Sequence, residues 1–407
     1  MIISIPVIIA LGVLLLLAVV TPLFSPFRRV KGLLNNEDTE EDSSAELPQV
    51  SIVLAEHDCS FYLQKVLPRY LSQDYPADRY QVVVVIDQSD TQSEDYLKIL
   101  SEQYPQLYYT KLPDSSRYVS RKKLGLTLGL RAVRFDWVLI ADVDCRPSSN
   151  GWLAAMARHA TAERNMVIGM TPYEYDSPRY YRFEHLRTML YHLHSAWSGQ
   201  PFSTNQSVVM LRRSEFFEKK GFLGNLEFAR AEYEFLVNKF GAEGKCGIAI
   251  EPESWLEQYE PTSEYWTMKR LYAIDALKGL QRATWFKTKF KTDLMLMHVY
   301  NVLTLIVMAC GGVLAAVQYG AIPAELPAVI KAAVLQYDGL ALAGGSALLW
   351  IISLIERCCI YSSVLEYFGS VGSLSAVIME WGINLRNAVL RVRYMFADKT
   401  DFITHKL

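Results

Sequence analysis

Asp142-Val143-Asp144 sets two carboxylates one residue apart, directly after Phe135-Asp136-Trp137-Val138-Leu139-Ile140-Ala141, a largely apolar run that reads as a buried strand. On an extended strand end, side chains two apart point the same way, so both carboxylates are expected to face one hard cation. That is a metal-and-phosphate geometry. An ordinary acidic turn after a strand would carry the same triplet, so the surrounding elements decide between the two readings.

Those elements have the pattern of an α/β domain. Val50 to Ala55 reads as a strand, Phe61 to Leu71 has helical apolar spacing, and Gln81 to Ile86 is a second buried strand ending at Asp87. Strand, helix, strand implies parallel pairing. A helix over Glu94 to Gln103, a strand over Leu107 to Leu112 and a helix over Arg121 to Val133 lead to the strand that delivers the acidic pair. In such sheets ligands bind beyond the carboxyl ends of the strands, where both Asp87 and Asp142 fall. Neither G-x-G-x-x-G after the first strand nor G-x-x-x-x-G-K-[ST] is present, which argues against dinucleotide oxidoreductases and P-loop NTPases.

The chain has 407 residues, 51% of them hydrophobic, and a net charge of −2, so no charge excess suggests a nucleic-acid partner. Met1 to Phe24 carries no charge and is long enough to cross a bilayer, whose core takes about 20 apolar residues. Arg28, Arg29 and Lys31 follow it, the order of an uncleaved anchor with its downstream side in the cytoplasm. Residues 33–49 turn acidic and polar and read as a flexible linker. The six cysteines show no C-x-x-C or zinc spacing, in keeping with a reducing compartment.

Four segments together resemble the family 2 glycosyltransferases, which have the GT-A fold. Ala55-Glu56-His57-Asp58 resembles the family's first strand-to-loop turn, and Val84-Val85-Ile86-Asp87-Gln88-Ser89-Asp90-Thr91 its V-V-D-D-x-S-x-D-x-T. Ser120 to Gly129 resembles G-K-x-x-A-L-N-x-G, and Asp142-Val143-Asp144-Cys145-Arg146-Pro147 followed by Trp152-Leu153 resembles D-x-D-x-x-x-P…W-L. The resemblance implies a mixed, mostly parallel sheet flanked by helices, with N-terminal and C-terminal transmembrane helices added. It further implies nucleotide contacts at Ala55, Asp87, Lys122 and Asp142, and Mg²⁺ or Mn²⁺ held by Asp142 and Asp144 against the diphosphate. Lys122 is the better match by register, although its neighbour Lys123 could also reach a phosphate, and a basic pair is often only a solvated helix face.

Further along, Gly199 to Phe222 resembles the family's acceptor-side strand, and Arg230-Ala231-Glu232-Tyr233-Glu234-Phe235-Leu236 lines up with G-E-D-Y-E-L. On that register Glu232 is the catalytic base; a shifted register would give Glu234. Helical spacing is expected to put the two on different faces, with only one in a site. Trp266-Thr267-Met268-Lys269-Arg270-Leu271 and Gln281-Arg282-Ala283-Thr284-Trp285 each keep part of the Q-x-x-R-W of processive synthases, with Arg270 a diphosphate contact in the first. Neither is intact, so transfer of a single sugar is favoured.

The expected organisation is an anchor at 1–25, the linker at 33–49, a cytoplasmic GT-A domain at 50–262, basic interfacial helices at 263–292, and two transmembrane helices at 293–357. Interfacial or re-entrant helices and a cytoplasmic basic tail would occupy 358–407, because a crossing at Cys358 to Met379 would put Arg386, Arg391 and Arg393 outside. The implied activity is inverting, metal-assisted transfer from a nucleotide diphosphate-sugar, a UDP-sugar by resemblance, to a hydroxyl of a lipid-linked, glycan or other membrane-proximal acceptor at the inner (plasma) membrane. A processive polysaccharide synthase and a catalytically decayed membrane scaffold are the alternatives.

Overall fold

The computed structural model describes residues 4–34, 46–55, 60–113, 120–241, 245–281, 284–321 and 337–397. The chain divides into two compact units, Met1–Asn36, Ala283–Tyr367 and Val371–Asn384 in one and Glu37–Arg282, Phe368–Ser370 and Leu385–Leu407 in the other.

In the first unit, α1 (Ile5–Val20) has Pro6 in its first turn, where proline's missing N–H is no loss, and a 3-10 turn (Thr21–Phe24) leads to α2 (Pro26–Leu34).

The second unit is built on a seven-stranded sheet. Its early part alternates β1 (Val50–Ala55), α3 (Ser60–Leu71), β2 (Tyr80–Asp87), α4 (Thr91–Gln103), β3 (Leu107–Leu112), α5 (Arg121–Ala132) and β4 (Trp137–Ala141). The strand order is β3-β2-β1-β4-β7-β6-β8, with β6 (Met166–Ile168), β7 (Val208–Arg212) and β8 (Cys246–Ile248) completing it. β1 pairs in parallel with β2 and β4, β2 with β3, and β6 with β8, while β7 is antiparallel to both β4 and β6. The mixed, mostly parallel sheet expected from the sequence is therefore present. Every residue of β1, β2 and β4 is buried, which is why these strands are nearly continuous Val, Ile and Leu instead of alternating.

α5 lies so close to the sheet that a Cβ on Gly129 would come within 2.5 Å of Val53 Cγ1. Glycine there is a packing requirement. A two-stranded ribbon joins β5 (Cys145–Pro147) to β9 (Leu256–Gln258) with Cys145 opposite Gln258. Around these lie α6 (Trp152–Arg158), α7 (Arg179–Trp197), α8 (Arg213–Glu218), α9 (Glu232–Phe240) and α10 (Ser263–Ala276).

The chain re-enters the first unit through α11 (Thr284–Gln318), then forms helices at Gly339–Tyr367 and Ser373–Phe396. Ile5–Phe24, Met295–Gln318 and Gly339–Tyr367 are each long and apolar enough to cross a membrane. α11 and the Gly339–Tyr367 helix approach closely, since a Cβ on Gly311 would lie 2.5 Å from the Ala343 nitrogen, as small residues permit in membrane helix pairs.

Two helix boundaries bear on the expected organisation. The basic stretch before the second span is not a separate interfacial segment over its whole length, because Thr284 onward is the start of the same helix as the span. The stretch from Cys358 to Met379 is no single helix: its first part ends the Gly339–Tyr367 helix, and the next helix begins only at Ser373, after Gly369 at φ 56°. Glycine alone accepts that left-handed conformation cheaply.

Candidate active site

Four consecutive residues at the start of α5 each engage a different neighbouring segment. Ser120 caps the helix by accepting from the Lys123 N–H (3.3 Å) and donates its own hydroxyl to Glu232 Oε1 (3.2 Å). Arg121 pairs with Asp87. Lys122 Nζ stands 2.5 Å from Asp142 Oδ1. Lys123 is buried and donates to the carbonyls of Asn225 (2.9 Å) and Phe228, on the loop that leads to Glu232. Burial holds the Lys123 ammonium below its ordinary pKa, with the charges of Glu232 and Glu234 acting the other way.

A cavity of about 300 Å³ opens beyond the carboxyl end of β4, lined by Lys122, Asp142, Asp144, Glu232, Glu234 and Lys269 among others. Asp142 and Asp144 both face it, but not as an extended strand end. The segment is a turn, in which the Cys145 N–H donates to the Asp142 carbonyl (3.3 Å). Asp142 Oδ1 also accepts from the Tyr233 hydroxyl (2.6 Å). Burial raises the Asp142 pKa, yet Lys122, Tyr233 and Lys269 together hold it below the usual carboxylate value.

Asp144 is held from the other side. Its Oδ2 accepts from Gln258 Nε2 (2.7 Å) and from the Tyr265 hydroxyl (3.0 Å), and Lys269 Nζ donates to Gln258 Oε1 (3.1 Å). Burial opposes the charge on Lys269, but Tyr173, Asp144 and Asp142 outweigh it and hold the ammonium above its ordinary pKa. The β5–β9 ribbon makes this arrangement, since it places Gln258 opposite Cys145 and delivers the chain to α10.

Glu232 and Glu234 both line the cavity, against the expectation that only one would. Glu232 is the first residue of α9, directly after Ala231 in the left-handed region (φ 72°, ψ 39°), and Arg230 to Glu234 all line the cavity, so the cavity meets the N-terminal end of the helix and not one of its faces. A non-glycine residue held there costs roughly 1–2 kcal/mol, the kind of strain that gathers at functional sites. Burial, then the charge of Glu232, pushes the Glu234 carboxyl up to about 7, against a backbone hydrogen bond that lowers it.

Other expected residues are placed differently. Arg270 turns away from the cavity and pairs with Glu184 (2.8 Å), while its neighbour Lys269 faces in; adjacent helical residues point about 100° apart. Ala55 and Asp87 are buried at the carboxyl ends of β1 and β2 and do not line the cavity. Glu56, His57 and Asp58, which carry the rest of the first motif, lie outside the described residues. Among the described residues no three His, Cys, Asp or Glu side chains form a metal cage.

Residues 51–221 match the sequence model of the family described as Glycosyl transferase family 2. This segment is a family 2 glycosyltransferase domain. The transferase domain so matched carries Asp87, Lys122, Asp142 and Asp144, whereas Glu232, Glu234 and Lys269 lie beyond it. A probable glycosyltransferase, YdaM, from Bacillus subtilis (strain 168) is 26% identical over 123 residues, which are 30% of this chain and 29% of that protein.

Among solved structures, the chain resembles the mannosyltransferase PcManGT from Pyrobaculum calidifontis in complex with GDP-Man and Mn2+, at 18% identity and a TM-score of 0.49 over 86% of this chain and 98% of that one. It also resembles S. aureus TarS 1-349 in complex with UDP-GlcNAc, at 13% identity and a TM-score of 0.39 over 83% and 92%. These likenesses are distant, and the assignment rests on the family match.

Proposed function

We propose that this protein is a membrane-anchored glycosyltransferase that moves a single sugar from a nucleotide diphosphate-sugar, a UDP-sugar by motif resemblance, to a hydroxyl of a lipid-linked or membrane-proximal acceptor, with inversion. The observation that carries the reading is the convergence, in one cavity next to a family 2 domain, of Asp142 and Asp144 on one side with Glu232 and Glu234 on the other. The three candidate spans, and the basic residues Arg28, Arg29 and Lys31 after the first, favour a transferase domain facing the cytoplasm at the inner membrane.

In the proposed step Glu232 takes the proton of the acceptor hydroxyl as its oxygen attacks the anomeric carbon. The bond from that carbon to the donor phosphate breaks, its electron pair leaves with the nucleoside diphosphate, and single displacement inverts the centre. Lys122 and Lys269 place positive charge where the diphosphate would lie. Ser120 orients Glu232, and burial around Glu234 keeps a second carboxyl poised to hold or release a proton near neutrality.

Asp142 and Asp144 offer an oxygen-only donor set that suits Mg²⁺ or Mn²⁺ and would hold such an ion. Such an ion, when bound, supplies Lewis-acid stabilisation of the departing diphosphate. Gln258 and Tyr265 hold the Asp144 carboxylate in place.

The test uses the full chain in detergent, offered a panel of nucleotide sugars with Mg²⁺ or Mn²⁺, with thermal shift and donor hydrolysis recorded beside Asp144→Ala. A donor-dependent shift that Asp144→Ala abolishes supports the reading. Absence of any donor response, or an unchanged response in Asp144→Ala, contradicts it and leaves a scaffold role.

A further inference from the structure

The last described helix, Ser373–Phe396, has a feature that the transferase reading does not use. Leu385, Val389, Val392 and Phe396 recur at spacings of four and three and so share one face, on which they are 72%, 50%, 53% and 84% exposed. The opposite face is already occupied. Leu390 packs in a cluster with Tyr173 and Trp266, Tyr394 packs beside Leu271 and Tyr272, and the Arg386 guanidinium stacks on Tyr180 with 3.6 Å to the ring centroid.

A helix with one apolar face packed and a second apolar face bare is not a solvated surface helix, because an exposed stripe of this extent is a cost in water. It is also not among the candidate spans of the described residues. Its charge identifies the cover. No Asp or Glu occurs between Glu380 and Asp398, while Arg391 and Arg393 flank the stripe, are exposed, and pair with no carboxylate among the described residues. The helix also begins only a few residues after Tyr367, where the third candidate span ends.

We propose that the Leu385–Phe396 face docks into an anionic lipid headgroup layer, with Leu385, Val389, Val392 and Phe396 in the acyl boundary and Arg391 and Arg393 on the phosphates. The docked helix carries Tyr394, whose hydroxyl donates to Asp275 at the end of α10, the helix that brings Tyr265 and Lys269 to the site. Membrane contact is thereby placed next to the element that holds Asp144.

The experiment incorporates p-benzoylphenylalanine at Val392, and separately at the exposed Glu264 as a control, in the full chain in nanodiscs of phosphatidylcholine with or without phosphatidylglycerol. Photoproducts are read by mass spectrometry. Lipid adducts are expected at Val392 and not at Glu264, at least about fivefold more abundant with phosphatidylglycerol, and lost in Arg391→Glu/Arg393→Glu, as expected from about 1 kcal/mol per basic residue at an anionic surface. An unchanged melting temperature of the double variant establishes that it folds. Lipid adducts insensitive to headgroup charge, no lipid adducts, or covalent dimers at Val392, which would mark a second copy as the occupant, each overturn the proposal.

Discussion

The Ser120 hydroxyl donates to Glu232 Oε1 at 3.2 Å while its oxygen accepts the Lys123 N–H, so one side chain both caps α5 and fixes the carboxylate proposed as base. The two residues are 112 positions apart in sequence. Ser120→Ala should cost about 1 kcal/mol of stability through the lost cap. It should also lower turnover more than donor affinity, because Glu232 is the proposed base for the acceptor hydroxyl. Denaturant melts and separated kcat and KM values check both.

Glu232→Gln should lower turnover by about 10²–10⁴-fold with the donor-induced thermal shift intact, the range lost when a general base is removed. Turnover preserved in this variant and lost in Glu234→Gln would transfer the role to Glu234.

The raised pKa of Glu234 has a signed consequence. Its folded value of about 7 exceeds the ordinary 4.5, so between those values the folded state binds more protons than the unfolded one. The contribution of this group to stability is therefore full below 4.5 and is lost as pH rises through 7. Glu234→Gln, which cannot ionise, should gain melting temperature over the parent as pH goes from 5 to 8. A difference that stays constant across that window contradicts the buried placement.

Much of this was legible before the fold. The valine run of Tyr80–Asp87 and the apolar run before Asp142 announced buried parallel strands because full burial demands such composition. Gln258, Tyr265 and Lys269 were missed because the β5–β9 ribbon has only three residues in each strand and joins segments more than a hundred positions apart. Motif register points to Arg270, whereas Arg270 pairs with Glu184 and its neighbour Lys269 lines the cavity. Glu232 and Glu234 were expected on different faces from helical spacing, which does not show that the cavity meets the N-terminal end of α9, where both reach it.

That Asp144 network gives a prediction of its own. Gln258→Leu and Tyr265→Phe should each weaken metal-dependent donor binding by about 10–100-fold, the usual cost of removing a group that orients a metal ligand. Isothermal titration with donor and Mn²⁺ reads it directly.

Gly129→Ala should destabilise the transferase domain by about 1–3 kcal/mol, since the added methyl meets Val53 Cγ1 at 2.5 Å and the sheet cannot yield there. The shift of α5 should also reduce donor response, which Gly32→Ala, at a glycine with open space around it, should leave unchanged.

The central claim is that Asp142 and Asp144 serve a nucleotide-sugar while Glu232 serves the acceptor. Donor hydrolysis and transfer by the purified chain across a nucleotide-sugar panel, compared among the parent, Asp144→Ala and Glu232→Gln, test it most directly. The account predicts one donor class bound and turned over by the parent, neither bound nor turned over by Asp144→Ala, and bound without turnover by Glu232→Gln. Donor binding by Asp144→Ala equal to the parent's would contradict it.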